Sequence, residues 1–93
     1  MNPARVRRDR LARLEDLPNI GPAMTRDLNL LGINTPSDLI GRDAYAMYQE
    51  LSVRTGKRQD PCVLDVFLSV IRFMNGEPAQ PWWAFTEERK RTI

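Results

Sequence analysis

Asn19-Ile20-Gly21-Pro22 is the stretch of this sequence best equipped to hold an anion. A helix that opens at Pro22 leaves unpaired backbone N–H groups in its first turn, Ala23 among them, at the positive end of its dipole. Such an end binds a phosphate if the backbone can be approached closely. Gly21 permits close approach and tolerates φ > 0, and Asn19 has the side chain that best tolerates the left-handed region. Ile20 would plug the space between two helices, and Thr25 and Arg26 follow one turn in. The candidate contact set is Asn19, Ile20, Gly21, Ala23, Thr25 and Arg26. A contact of this kind reads phosphate and not base identity. The competing reading is an architectural hairpin used for protein contacts.

Basic residues could extend that contact. Arg5, Arg7, Arg8, Arg10 and Arg13 crowd the start of the chain, opposed there mainly by Asp9. Arg5 and Arg8 are candidates for an arm on phosphate; a solvated helix face is the alternative. Lys57 and Arg58 lie in a second basic stretch, Gly56-Lys57-Arg58-Gln59. Trp82, Trp83 and Phe85 either close a lid on the core or form an exposed aromatic patch, for a partner or for base stacking on single strands.

Other chemistry is poorly supplied. Histidine is absent, which removes the usual general base near neutral pH and every Ser–His or Cys–His nucleophile pair. One cysteine, Cys62, makes no intramolecular disulfide, and with no histidine it leaves no ordinary zinc site. Cys62 sits at a helix start near Arg58, which would favour a reactive thiolate, but no base or second thiol stands by. A small packing residue is the preferred reading. No phosphate-cradling glycine loop is found. Asp38 could be mistaken for the catalytic aspartate of a base-excision glycosylase, yet it lies three residues after Thr35 and is accounted for as a first-turn helix acid. No metal, cofactor or membrane is expected, and the expected location is the cytoplasm.

These groups need elements to position them. Asn2-Pro3 can start a helix, and Leu11, Leu14 and Leu17 give it an apolar face along Ala4–Leu17 until Pro18 stops it. Met24, Leu28 and Leu31 stripe the next helix, which Gly32 closes. Ile33 should point inward, and Thr35-Pro36-Ser37-Asp38 starts a short helix. Asp43 caps a helix striped by Ala44, Met47, Tyr48 and Leu51, with Gly56 at its end. Asp60-Pro61 starts the last long helix, apolar from Val63 to Met74 over a wide arc and therefore central. Residues 77–81 run extended, and the charged tail 87–93 is expected to fray. No period-two alternation reaches strand length. The fold class is all-α: one compact domain over 1–93 with about five helices. Its hairpin core is 11–32, its basic helix start 1–10, and its C-terminal segment extended and aromatic.

The run LPNIGPAMTRDLNLLGINTPSDL resembles the helix-hairpin-helix (SAM-like) module of DNA repair and recombination proteins. LLGINTPSDL is similar to the segment after such hairpins in the C-terminal domain of the RNA polymerase alpha subunit and in competence regulators. TGKRQDPCVLDVF followed by NGEPAQPWWAF resembles the small bacterial pathogenicity-locus, or mitomycin-resistance, proteins, over about Leu14 to Glu88. The resemblance implies a stand-alone helix-hairpin-helix domain that contacts DNA through the hairpin, with no catalytic residue to carry over. Two positions depart from the motif: Asn19 replaces a common glycine, and Thr25 stands where alanine is frequent. The expected function is non-enzymatic, weak, sequence-nonspecific binding of the duplex DNA backbone, linked to repair or stress resistance. The alternative is a protein-interaction module using Trp82–Phe85.

Overall fold

In the computed structural model, which describes residues 2–92, the longest helix organises the rest. Asp60-Pro61 launches α3 (Pro61–Met74), with proline at the first turn, where its missing N–H is not needed. Leu64 through Ile71 are all buried, so α3 runs through the centre as its wide apolar arc predicts. Against it pack α2 (Ala44–Thr55) and α4 (Thr86–Thr92), while α1 (Pro22–Leu30) packs on α2 and on the Leu14–Asp16 turn. The Cα radius of gyration is 12.2 Å, close to the value of about 12 Å for a folded chain of this length. The fold is all-α; no strand occurs among the described residues.

The caps work as their residue types require. Asp43 Oδ1 accepts from the N–H groups of Tyr45 and Ala46 at the start of α2. Gly56, at φ 74°, ends α2 in the left-handed conformation. Ala44, Met47, Tyr48 and Leu51 are the buried stripe of α2. Thr35 and Asp38 form a reciprocal capping box over a short 3-10 turn, Pro36–Leu39. Asp38 Oδ2 accepts from Asn34 and Thr35 N–H, and these bonds hold its carboxyl below the usual carboxylate range. Ile33 is fully buried.

Two expectations fail, one at each end. The helix expected along Ala4–Leu17 does not form, so the described residues hold four α-helices and five 3-10 turns, not about five helices. Three isolated turns replace it, Pro3–Arg5, Arg8–Arg10 and Leu14–Asp16, with Val6, Arg7, Leu11 and Arg13 extended between them. Tertiary bonds outcompete the helical ladder here. Arg8 donates to Phe73 O at 2.6 Å and to Glu77 O at 2.7 Å, and its guanidinium lies 4.0 Å from the centre of the Phe73 ring. Asp16 Oδ2 accepts from Ala12 N–H and Arg13 N–H, which closes the third turn on itself. Leu14 and Leu17 still reach the core.

The charged tail does not fray through Thr92; it forms α4 and docks on α3. Asp65, fully buried on α3, takes Arg89 Nε at 3.0 Å and Thr86 Oγ1 at 2.8 Å. Arg72 pairs with Glu88 beside it. The last residue of the expected tail, Ile93, lies outside the described residues.

Candidate nucleic-acid interface

The Leu17–Pro22 turn is set by what it buries. Leu17, Pro18 and Ile20 are all buried, so the backbone between them must reverse at Asn19. Ile20 is buried as expected, though against a core and not between two helices, and has almost no surface to offer a ligand. Asn19 takes the left-handed conformation, φ 67°, the one non-glycine among the described residues to do so. Its side chain is also engaged: Nδ2 donates to Ser69 Oγ at 3.0 Å and to Gln80 O at 2.8 Å. Asn19 thus anchors the turn to α3 and to the 77–81 strap, and its amide does not face outward.

Gly21 differs from expectation. It is extended, φ −113° and ψ −171°, so its freedom at positive φ is not used. What its missing side chain provides is space: a Cβ there would meet nothing within 4 Å. Gly21 is the N-cap of α1 and supplies no side-chain cap, and Pro22 follows at the first position. The first intrahelical bond is Thr25 N–H to Gly21 O, 3.0 Å. The N–H groups of Ala23 and Met24 precede that bond; Ala23 is exposed and Pro22 is followed by no side-chain cap. Thr25 Oγ1 donates back to Gly21 O, so Thr25 reinforces the turn from within α1. Arg26 stands one turn in.

A second feature adjoins the turn. Arg5, Arg7, Arg10 and Asp16 line a concavity of about 280 Å³, and Asp16 directly precedes Leu17. The Asp16 carboxyl sits below its ordinary range because Arg13 N–H and Ala12 N–H donate to it. Arg7 also pairs with Asp9 at 3.4 Å in an exposed bridge. The structure therefore places Arg5 in one concavity with Asp16, the residue before the turn, but gives Arg8 a different task, binding the carbonyls at and beyond the end of α3. Lys57 and Arg58 are exposed in the loop before α3. Arg58 lines another groove, about 450 Å³, with Tyr45, Tyr48 and Val53. That groove shares no lining residue with the arginine concavity.

The aromatic segment splits. Phe85 is buried and closes the core, while Trp83 is 62% exposed and Trp82 half-buried. Cys62 is half-buried, and burial together with the Asp60 carboxylate pushes its thiol up, the opposite of an activated thiolate. Among the described residues no three His, Cys, Asp or Glu side chains are grouped to hold a metal ion. No helix among them is long and apolar enough to cross a membrane.

Sequence reasoning missed Ser69 and Gln80, which fix Asn19, and the Asp65–Arg89 pair. The latter left one signal: a lone carboxylate inside the apolar run from Val63 to Ile71 must find a cation or lose its charge. Ser69 and Gln80 left none, since their role depends on where the strap crosses α3.

Comparison with known proteins adds a family. The family model described as "Pathogenicity locus" matches residues 7–91. The chain is 39% identical over 80 residues to the mitomycin resistance protein McrB of Streptomyces lavendulae, covering 86% of this chain and 76% of that protein. No solved structure matches.

Proposed function

This chain belongs to the pathogenicity-locus family, and for it we propose weak, sequence-nonspecific binding of the DNA backbone in the cytoplasm, without catalysis. The Leu14–Gly32 stretch acts in this reading as a helix-hairpin-helix whose first arm is a single turn. The observation that carries it is the open first turn of α1: Gly21 and Ala23 present backbone without a capping side chain, and a Cβ at Gly21 would meet nothing within 4 Å. A phosphate oxygen can approach there as it could not over a side chain. The concavity lined by Arg5, Arg7, Arg10 and Asp16 adds cations next to the residue that leads into the turn, and Arg26, exposed, adds one along α1. Lys57 and Arg58, which lie apart, contribute only a diffuse positive field. A place in resistance, the property in the relative's name, is part of the same proposal.

One turn and a few arginines engage few phosphates. Affinity should be on the order of 10⁻⁴–10⁻⁶ M near physiological salt, and with about three to five phosphates log K should fall with log salt at a slope of about −3 to −4.5. Fluorescence anisotropy of a labelled duplex across a salt series measures both. Absence of binding at low salt would overturn the proposal. Gly21→Val should weaken binding far more than Lys90→Ala. The exposure of Trp83 supports a second reading, a protein-docking patch at Trp82–Phe85, whose association would be insensitive to salt.

A further inference from the structure

Trp83 is the one large aromatic side chain among the described residues that stands mostly in water, at 62% exposure. It is nonetheless held firmly. Pro81 precedes its turn with φ fixed at −64°, and Ala84 N–H closes the turn on Pro81 O at 3.0 Å. Trp82, half-buried, meets it edge-on with ring centres 5.6 Å apart and planes at 83°. The Trp83 ring forms one wall of a shallow groove of about 370 Å³, completed by Asn2, Pro3, Ala4, Ala79 and Pro81. Among the described residues, no charged side chain lines it.

The neighbours of that groove give it a meaning. Ala4 is followed at once by Arg5, which lines the arginine concavity with Arg7 and Arg10. Ala79 and Pro81 flank Gln80, whose carbonyl accepts from Asn19 in the turn below Gly21. The aromatic groove is thus joined to the arginine concavity through the Ala4–Arg5 peptide and to the turn before Gly21 through the Asn19–Gln80 hydrogen bond. An indole-walled groove that ends at Ala4, one residue before the arginine concavity begins at Arg5, matches a molecule with flat faces strung on phosphates. In a duplex the base faces are already stacked on each other, and only the outer faces of the two terminal pairs are left for an indole. An unpaired base can reach it, and every base has such a face.

We propose that Trp83 stacks an unpaired base of a strand whose phosphates lie on the adjoining arginine concavity, so that this protein takes single-stranded or unwound DNA in preference to blunt duplex. This rests on the phosphate-binding reading above and names its substrate class.

The test uses the full chain with Trp82→Phe, which leaves Trp83 as the sole indole reporter. It is titrated at low salt with a short oligothymidylate, with a blunt duplex and with a proline-rich peptide, and fluorescence and anisotropy are followed. The expected result is tighter binding of the single strand, with quenching of Trp83. Trp83→Ala should weaken single-strand binding by about five- to 150-fold, the range spanned by one base–aromatic stack. It should leave duplex binding and the thermal midpoint unchanged, and Trp83→Phe should restore most of the loss. Gly21→Val should weaken both nucleic acids. If Trp83→Ala leaves single-strand affinity intact while Gly21→Val reduces it, the stacking inference falls and phosphate binding stands. If neither nucleic acid binds at low salt, both fall. If the peptide quenches Trp83 and the single strand does not, the groove is a protein-docking site and the inference is overturned.

Discussion

The two ends of the chain are both rich in charge, and they put that charge to opposite uses. At the C-terminal end, Arg89 reaches a fully buried Asp65, and Thr86 joins it on the other carboxylate oxygen. Arg72 and Glu88 pair beside them. At the N-terminal end, Arg5, Arg7 and Arg10 remain exposed around an open concavity, while Arg8 is bonded into the fold. A cation facing a buried carboxylate is part of the fold, because removing it leaves a charge without solvent or partner. A cation in water contributes little to stability and stays available for a ligand. Arginine density does not distinguish the two situations; the location of the opposing carboxylate does.

Breaking the C-terminal side should give the largest effect. Arg89→Ala leaves Asp65 buried and uncompensated, at a cost of about 3–5 kcal/mol, a large share of the roughly 5–15 kcal/mol that holds a small domain folded. Urea denaturation should show the midpoint shifting sharply, and α4 should lose its helical signal first. If Arg89→Ala melts with the wild type, the contrast between the two ends is wrong. Asn19→Ala comes next. It removes two side-chain hydrogen bonds and places a Cβ residue in the left-handed region, together about 2 kcal/mol. Asn19→Gly keeps the backbone conformation and should lose less, which separates the conformational part from the bonds to Ser69 and Gln80.

The N-terminal side should behave in the reverse way. Arg5→Gln with Arg10→Gln should move stability by no more than about 0.5 kcal/mol, yet flatten the salt slope of DNA binding by about 0.9 for each phosphate no longer neutralised. Arg8→Gln is the internal check: same segment, same residue type, but bonded to two carbonyls at the α3 end. It should reduce stability and leave the salt slope alone. If Arg8→Gln changes the slope instead, the division within this segment fails. Cys62 should likewise stay silent, reacting with iodoacetamide only slowly near neutral pH because its thiol is pushed up.

The same contrast explains what can be read without coordinates. Caps and stripes are legible because their causes are local: Asp43 before Ala44, Thr35-Pro36-Ser37-Asp38, and the apolar arc of α3 each carry their own signal. Asn19 at positive φ is legible for the same reason. The failures lie where a distant group decides. Leu11, Leu14 and Leu17 have helical spacing, but Arg8 binds the far end of α3 and the segment breaks into turns. The tail reads as polar and frayed until Asp65 is placed opposite Arg89. At the candidate site, the residue type of Gly21 signals open backbone, which the fold provides, and positive φ, which it does not use. The meeting of Trp83 with Pro3 and Ala4 depends on a strap whose path no local pattern gives.

The smallest expected effect is on acid stability, and it locates the anchor of the exposed segment. Asp16 is held in its charged form by the Arg13 and Ala12 N–H groups, and Asp38 by those of Asn34 and Thr35. Both folded-state pKa values are depressed, so each carboxylate's stabilisation is complete above its unfolded value, about 3.9. It is lost as pH falls through the lower folded value. Thermal midpoints measured from about pH 6 down to about pH 2 should therefore stay level and then decline. Asp16→Asn and Asp38→Asn should each flatten that decline slightly. Both groups are solvent-facing, so the change should be small beside that of Arg89→Ala. Asp16→Asn carries a further consequence, since it also removes the negative charge that lines the arginine concavity. It should tighten DNA binding at neutral pH while Asp38→Asn does not. Equal effects of the two on binding would mean that the concavity takes no phosphate, and that the exposed arginines of the N-terminal end are only a solvated surface.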